Sequence, residues 1–144
     1  TLFGPVSISH DFNEASATLL LDYLKQHAYD YNLANWIAPR LPPKLKRFTE
    51  WQHPDYAEFR VEEADINQAL TEFENAPHDI PILIRQYLKL GGKIVAFNVD
   101  PDFGTAIDGL IVVDLLKASP RDISRYMGKS LYKTYCDAQT KGAQ

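Results

Sequence analysis

IPILIRQYLKLGGKIVAFNVDPDFGTAIDGLIVVDLL, residues 80–116, reads as one continuous helix, hairpin and buried strand. Pro81 suits a first helical turn, because a proline there gives up no intrahelical hydrogen bond. Ile82, Leu83, Ile84, Tyr87, Leu88 and Leu90 then predict a deeply buried helix. Gly91 and Gly92 close it, since a left-handed cap costs a glycine no Cβ strain. Lys93–Val99 follows as a strand, and its antiparallel partner runs from Asp108 to Leu115. Between them, DPDFGTA carries Pro101 and Gly104 where a hairpin loop needs special backbone angles.

Working outward, Leu2–Ser9 has β-branched and aromatic residues at strand positions and is expected as a buried strand. Asp11 with Glu14 three residues later fits a capping box, and Ala17, Leu20, Leu21 and Leu24 recur at helical spacing. Tyr29 to Ile37 either extends that helix or forms a short second one, stopped by Pro39. Pro39–Pro54 holds four prolines, basic residues and Trp51, and reads as an irregular, mobile loop. Ile66, Ala69, Leu70 and Phe73 mark another surface helix. Ser119 and Pro120 open a helix through Tyr126, and Lys129–Ala138 continues as the last. The fold expected is a mixed α/β (α+β) domain spanning 1–144, with a partly antiparallel central sheet flanked by helices.

Composition narrows the function. A formal net charge of −4 over 144 residues argues against a phosphate-tracking nucleic-acid surface, which needs a concentrated basic face. The main basic cluster, Lys44, Lys46 and Arg47, lies in the Pro-rich connector. No apolar run approaches the ~20 residues of a membrane span, and no signal-peptide pattern opens the chain. A lone Cys136 cannot form an internal disulfide, so a reducing cytoplasm is expected.

Several residue groups can carry chemistry. Ser7, Ser9, His10 and Asp11 supply every residue type of a hydrolase triad, yet neighbours on a strand point to opposite faces and cannot align as one. Ser9 or Asp11 is expected instead as a helix cap, or at a strand end facing an anionic group. Asp100 and Asp102 form an Asp-x-Asp pair that undersupplies Mg2+ or Ca2+ and is explained by turn chemistry. Asp108, entering the second strand, is read as a strand-end partner for a backbone N–H. His10, His27, His53 and His78 are scattered without zinc spacing. Phe3, Phe12, Tyr87, Phe97 and Phe103 read mostly as core by their period, some of them able to line an apolar tunnel.

LFGPVSIS (Leu2–Ser9), RQYLKLGGKIVAFNVDPDFG (Arg85–Gly104), DGLIVVDLLK (Asp108–Lys117) and RYMGK (Arg125–Lys129) carry a family resemblance. Together they resemble the later part of the N-acyltransferase half of bacterial hemolysin-named proteins, relatives of the ornithine-lipid acyltransferases. The match is weakest between Pro39 and Pro77. What it implies is the later half of a GNAT-like fold and a place in lipid biosynthesis, not a toxin. The parent would move a fatty acyl group from a thioester of acyl carrier protein or coenzyme A to the amine of an amino acid such as ornithine. No bound cofactor is expected.

In that family the catalytic strand and the loop holding the pantetheine arm precede the strand that LFGPVSIS represents. The chain is therefore expected to be a fragment, inactive alone, beside an acyltransferase domain of the same parent at the inner face of the membrane. The resemblance assigns Ser7 and Ser9 to the donor or acceptor side, and Asp100, Asp102 and Asp108 to the amine. Two other classes stay open. One is a non-catalytic docking or homodimerisation module, favoured by an exposed apolar patch along Leu2–Ile8. The other is a peripheral membrane element using Trp36, Trp51 and nearby cations.

Overall fold

The computed structural model describes residues 1–9, 11–44 and 63–141. His10, Lys46, Arg47, Trp51, His53 and all but the first residues of the Pro39–Pro54 segment lie outside them. Along the described residues the elements are β1 (Leu2–Ile8), α1 (Glu14–His27), α2 (Tyr31–Ala34), α3 (Glu63–Glu74), α4 (Ile82–Lys89), β2 (Lys93–Asp100), β3 (Ala106–Val113), α5 (Pro120–Met127) and α6 (Lys129–Lys141). The fold is α+β, with an antiparallel three-stranded sheet in the order β1-β3-β2.

The sheet grows from its hairpin. Asp100 accepts a hydrogen bond from the Asp102 N–H at 2.9 Å, capping a single 3-10 turn over Pro101–Phe103. Gly104 then takes a left-handed φ of 65°, and β3 returns antiparallel to β2 with Asn98 opposite Asp108. Beyond β2 the chain leaving α1 makes an isolated parallel bridge from Tyr29 to Ile94, held by Asp30 N–H to Ile94 O at 2.9 Å. The three strands themselves pair only antiparallel, and this single bridge beside them is the parallel contact.

Strand β1 corrects one expectation. It is an edge strand, and only Val6 and Ile8 are buried, whereas Leu2 and Phe3 are 57% and 79% exposed. Alternation places Phe3 on the face opposite Val6 and Ile8, while Leu2 shares their face and is exposed at the start of the strand.

Helix α4 corrects another. Only Ile84 is fully buried, and Ile82 and Leu83 are exposed. Two faces of one eight-residue helix cannot both point at one core. Ile84, Leu88 and Tyr87 pack on the main cluster, built from Leu20, Leu24, Ile66, Leu70, Ile94 and Ile111, while Tyr87 and Leu90 also meet a smaller cluster around Val113, Leu115 and Ile123.

The start of α1 differs as well. Asn13, not Asp11 or Ser9, is the cap, with its side-chain oxygen accepting from Ser16 N–H at 2.9 Å. The Asn13 amide group also donates to Phe73 O at 2.8 Å, and its backbone N–H reaches Glu74 Oε1 at 2.8 Å. One residue therefore pins the start of α1 to the end of α3. Asn13→Ala removes a cap and an interhelical bond together, and is expected to cost about 1–2 kcal/mol in urea unfolding.

Tyr29 couples the sheet edge to pH. Its hydroxyl donates to Val95 O at 3.1 Å, and burial, then the neighbouring Tyr31, raises its pKa above the ordinary 10.0. The folded state keeps this proton longer than the unfolded chain does, so stability is intact below pH 10 and declines as pH climbs above it. A urea midpoint that falls between about pH 9 and about pH 11, less steeply in Tyr29→Phe, checks this sign.

Candidate functional site

The β1–β3–β2 register sets Ser7, Asp108 and Asn98 in one row across the sheet. Directly opposed residues share a face, so all three sit on the side away from Val6 and Ile111. Ser7 Oγ donates to Asp108 Oδ1 at 2.6 Å, a charge-assisted bond of the short kind. Asn98 is otherwise committed. Its Oδ1 accepts from Leu41 N–H at 2.7 Å and its amide donates to Val99 O, which ties residues near 41 along the far edge of β2.

Around this row lies an open cleft of about 630 Å3, lined by Pro5, Ser7, Ser9, Asp100, Phe103, Gly104, Ala106 and Asp108. Four of the five residues singled out from sequence thus share one surface. Asp102 does not line it; its N–H serves the turn, and its side chain is exposed. Phe103 and Phe3, expected in the core, are 73% and 79% exposed. The hairpin tip and the strand edge leave both rings without helices over them.

The cleft is an acidic one. Among the described residues no Lys or Arg pairs with Asp100 or Asp108. Ser9 Oγ donates to Asp11 Oδ2 at 2.8 Å and accepts from Asp11 N–H at 3.2 Å, so its hydroxyl is occupied by its own turn. Thr105, between two lining residues, holds a φ of 66° that a β-branched side chain rarely adopts. Such strain costs about 1–3 kcal/mol and persists only where surroundings enforce it. Here Thr105 N–H is bonded to Asp100 O at 3.1 Å.

Two carboxylates, one held by a serine, suit a cationic guest. A divalent ion of the Ca2+ class needs about 6–8 oxygens, and among the described residues no three metal-binding side chains gather. An ammonium asks for less. It takes up to three acceptors at hydrogen-bond distance, and the exposed ring of Phe103 adds a π-face at the rim.

The remaining sequence candidates lie elsewhere. His78 packs edge-on against Phe12, with ring centroids 5.3 Å apart, and His27 lies against Tyr23 at 4.7 Å. Cys136 sits on α6, where its hydrogen bond to Tyr132 raises that phenol's pKa. Sequence reading missed Pro5, Gly104 and Ala106 as lining residues, and had Phe103 only as core or tunnel wall. Among the described residues no helix is long and apolar enough to cross a membrane. No protein-family model, curated protein or solved structure matches the chain.

Proposed function

We propose that this chain is part of an N-acyltransferase, and that the cleft between β1 and the hairpin receives the acceptor amine. The observation that carries the reading is the Ser7–Asp108 contact at 2.6 Å with Asp100 beside it in the same cleft. The family resemblance of LFGPVSIS and the residues from Arg85 to Gly104 supplies the reaction. A fatty acyl group moves from a thioester of acyl carrier protein or coenzyme A to the amine of an amino acid, forming an amide and releasing the thiol. The amine must first lose a proton, and donors must steady the oxyanion. The resemblance puts base and oxyanion donors ahead of β1, assigns the aspartates of this cleft to the acceptor amine, and makes the neighbouring acyltransferase domain a partner. A cytoplasmic site at the inner membrane face fits such a lipid product.

Mass spectrometry of lipids from bacteria expressing the parent protein tests this. New N-acylated amino-acid lipids, absent from empty cells and strongly reduced by Asp108→Asn, are the expected result. No new lipid under either protein would overturn it.

A second reading has its own support. Leu2 and Phe3 stand exposed on an edge strand, and Leu2 also borders an apolar groove of about 430 Å3 with Leu83, Leu90, Ile123 and Met127. That surface favours a docking or homodimerisation module. Trp36, 88% exposed, is the described residue that favours peripheral membrane contact.

A further inference from the structure

A second cleft, at the other end of β2 from the acidic one, has the opposite charge. The C-termini of α1 and α4 and the start of β2 enclose about 280 Å3 lined in part by Tyr23, His27, Arg85, Lys89, Gly92 and Lys93. In a chain of net charge −4, three permanent cations and an imidazole share this one opening.

Helix-end compensation is the ordinary account of basic residues in last turns, and its size can be weighed. Each helix C-terminus presents about half a negative charge, so two ends offset roughly one cation. Asp79 offsets another, lying 3.6 Å from Arg85 Nη2, which also donates to Ile80 O at 3.2 Å. One positive charge remains before His27 is counted. Among the described residues neither Lys89 nor Lys93 has a carboxylate partner, and both are exposed and free to turn inward.

The backbone is not the receptor here. Gly91 N–H and Gly92 N–H are spent on Leu88 O and Tyr87 O at 2.9 and 2.8 Å, so no backbone nest faces the opening. Recognition falls to side chains, a guanidinium held in place by Ile80 O and two mobile ammoniums. That set suits an anion with several oxygens spread around one centre, which can meet all three cations at once. The volume equals the share of roughly nine waters at about 30 Å3 each, enough for one or two phosphate groups with part of their hydration.

We infer that this basic cleft binds a phosphate group, carried either on a soluble ester or on a lipid headgroup. The inference stands on the charge balance of the cleft and does not depend on the acyltransferase reading.

Amide NMR shifts of this chain, followed during titration with inorganic phosphate and with pyrophosphate at ionic strength held by chloride, test it. The expected result is saturating shifts centred on residues 85–93, tighter for pyrophosphate, and weakened about tenfold in the Lys89→Gln/Lys93→Gln double variant. Both side chains are exposed, so an unchanged melting temperature serves as the folding control. Co-sedimentation with phosphatidylglycerol vesicles but not phosphatidylcholine, lost in the double variant, makes the source a lipid headgroup; binding of pyrophosphate without vesicle binding makes it a soluble ester. Shifts that rise linearly without saturating, or that are the same in the double variant, overturn the site and leave helix-end compensation as the role of these cations.

Discussion

Gly92→Ala is expected to lower the stability of the chain by about 2–3 kcal/mol, a large share of a small domain's total. A Cβ at this position would lie 2.7 Å from Tyr87 O and 3.1 Å from Ile111 Cδ1. The isoleucine tip can swing away, but the carbonyl belongs to the last turn of α4 and accepts the Gly92 N–H at 2.8 Å. Relief therefore means moving α4 away from β2 or breaking that bond. Gly91→Ala is the control. Its φ of 76° disfavours a side chain, yet nothing stands within 4 Å of the new Cβ, so strain of about 1–2 kcal/mol is the whole cost. Urea midpoints at equal m-values should rank Gly92→Ala below Gly91→Ala, and both below the parent. An unaltered midpoint for Gly92→Ala would contradict the close approach of α4 to the sheet.

The same glycine pair explains why the middle of the chain could be read directly. A helix stop, a short strand, a Pro and Gly loop and a second strand are each written in adjacent residues, and each obeys local backbone rules. Where the reading failed, the deciding partner was distant. DFNE offers two acidic or amide caps, and the choice of Asn13 over Asp11 depends on Phe73 O and Glu74, about sixty residues on. Helix α4 carries apolar side chains on nearly every side, so periodicity could not say that they serve two clusters and leave Leu83 outside.

The candidate site shows the division most plainly. Polar residues at strand ends and in the hairpin were visible one by one. That Ser7 meets Asp108 was not, because their contact spans 101 positions and follows from the β1–β3 register. Slipping that register by one residue would send Ser7 to the helical face and Val6 to the cleft. The exclusion of Asp102 has the same origin, since side chains two apart share a face only while the strand continues, and the 3-10 turn begins at Pro101.

That geometry makes Asp108→Asn the sharpest probe of the amine cleft. The substitution keeps shape and an acceptor oxygen for Ser7 but removes the charge. A hydrogen bond to a charged group contributes about 1.5–3 kcal/mol, so the amine concentration giving half-maximal acylation should rise roughly ten- to a hundredfold. Asn offers Ser7 a neutral acceptor in place of a charged one, so folding stability should fall by only about 1 kcal/mol. Asp100 is a poorer probe, because its carboxylate also caps the turn through Asp102 N–H, and neutralising it would disturb the loop and the cleft together. Asp102→Asn removes a carboxylate outside the cleft and should leave amine dependence unchanged. Ser7→Ala lies between, freeing Asp108 Oδ1 from its orienting bond while keeping the charge, with an expected rise of about threefold to tenfold. Acylation measured against amine concentration for these variants separates the two roles of the aspartates. Asp108→Asn and Asp102→Asn behaving alike would remove the acidic cleft from the reaction, since only one of the two carboxylates borders it.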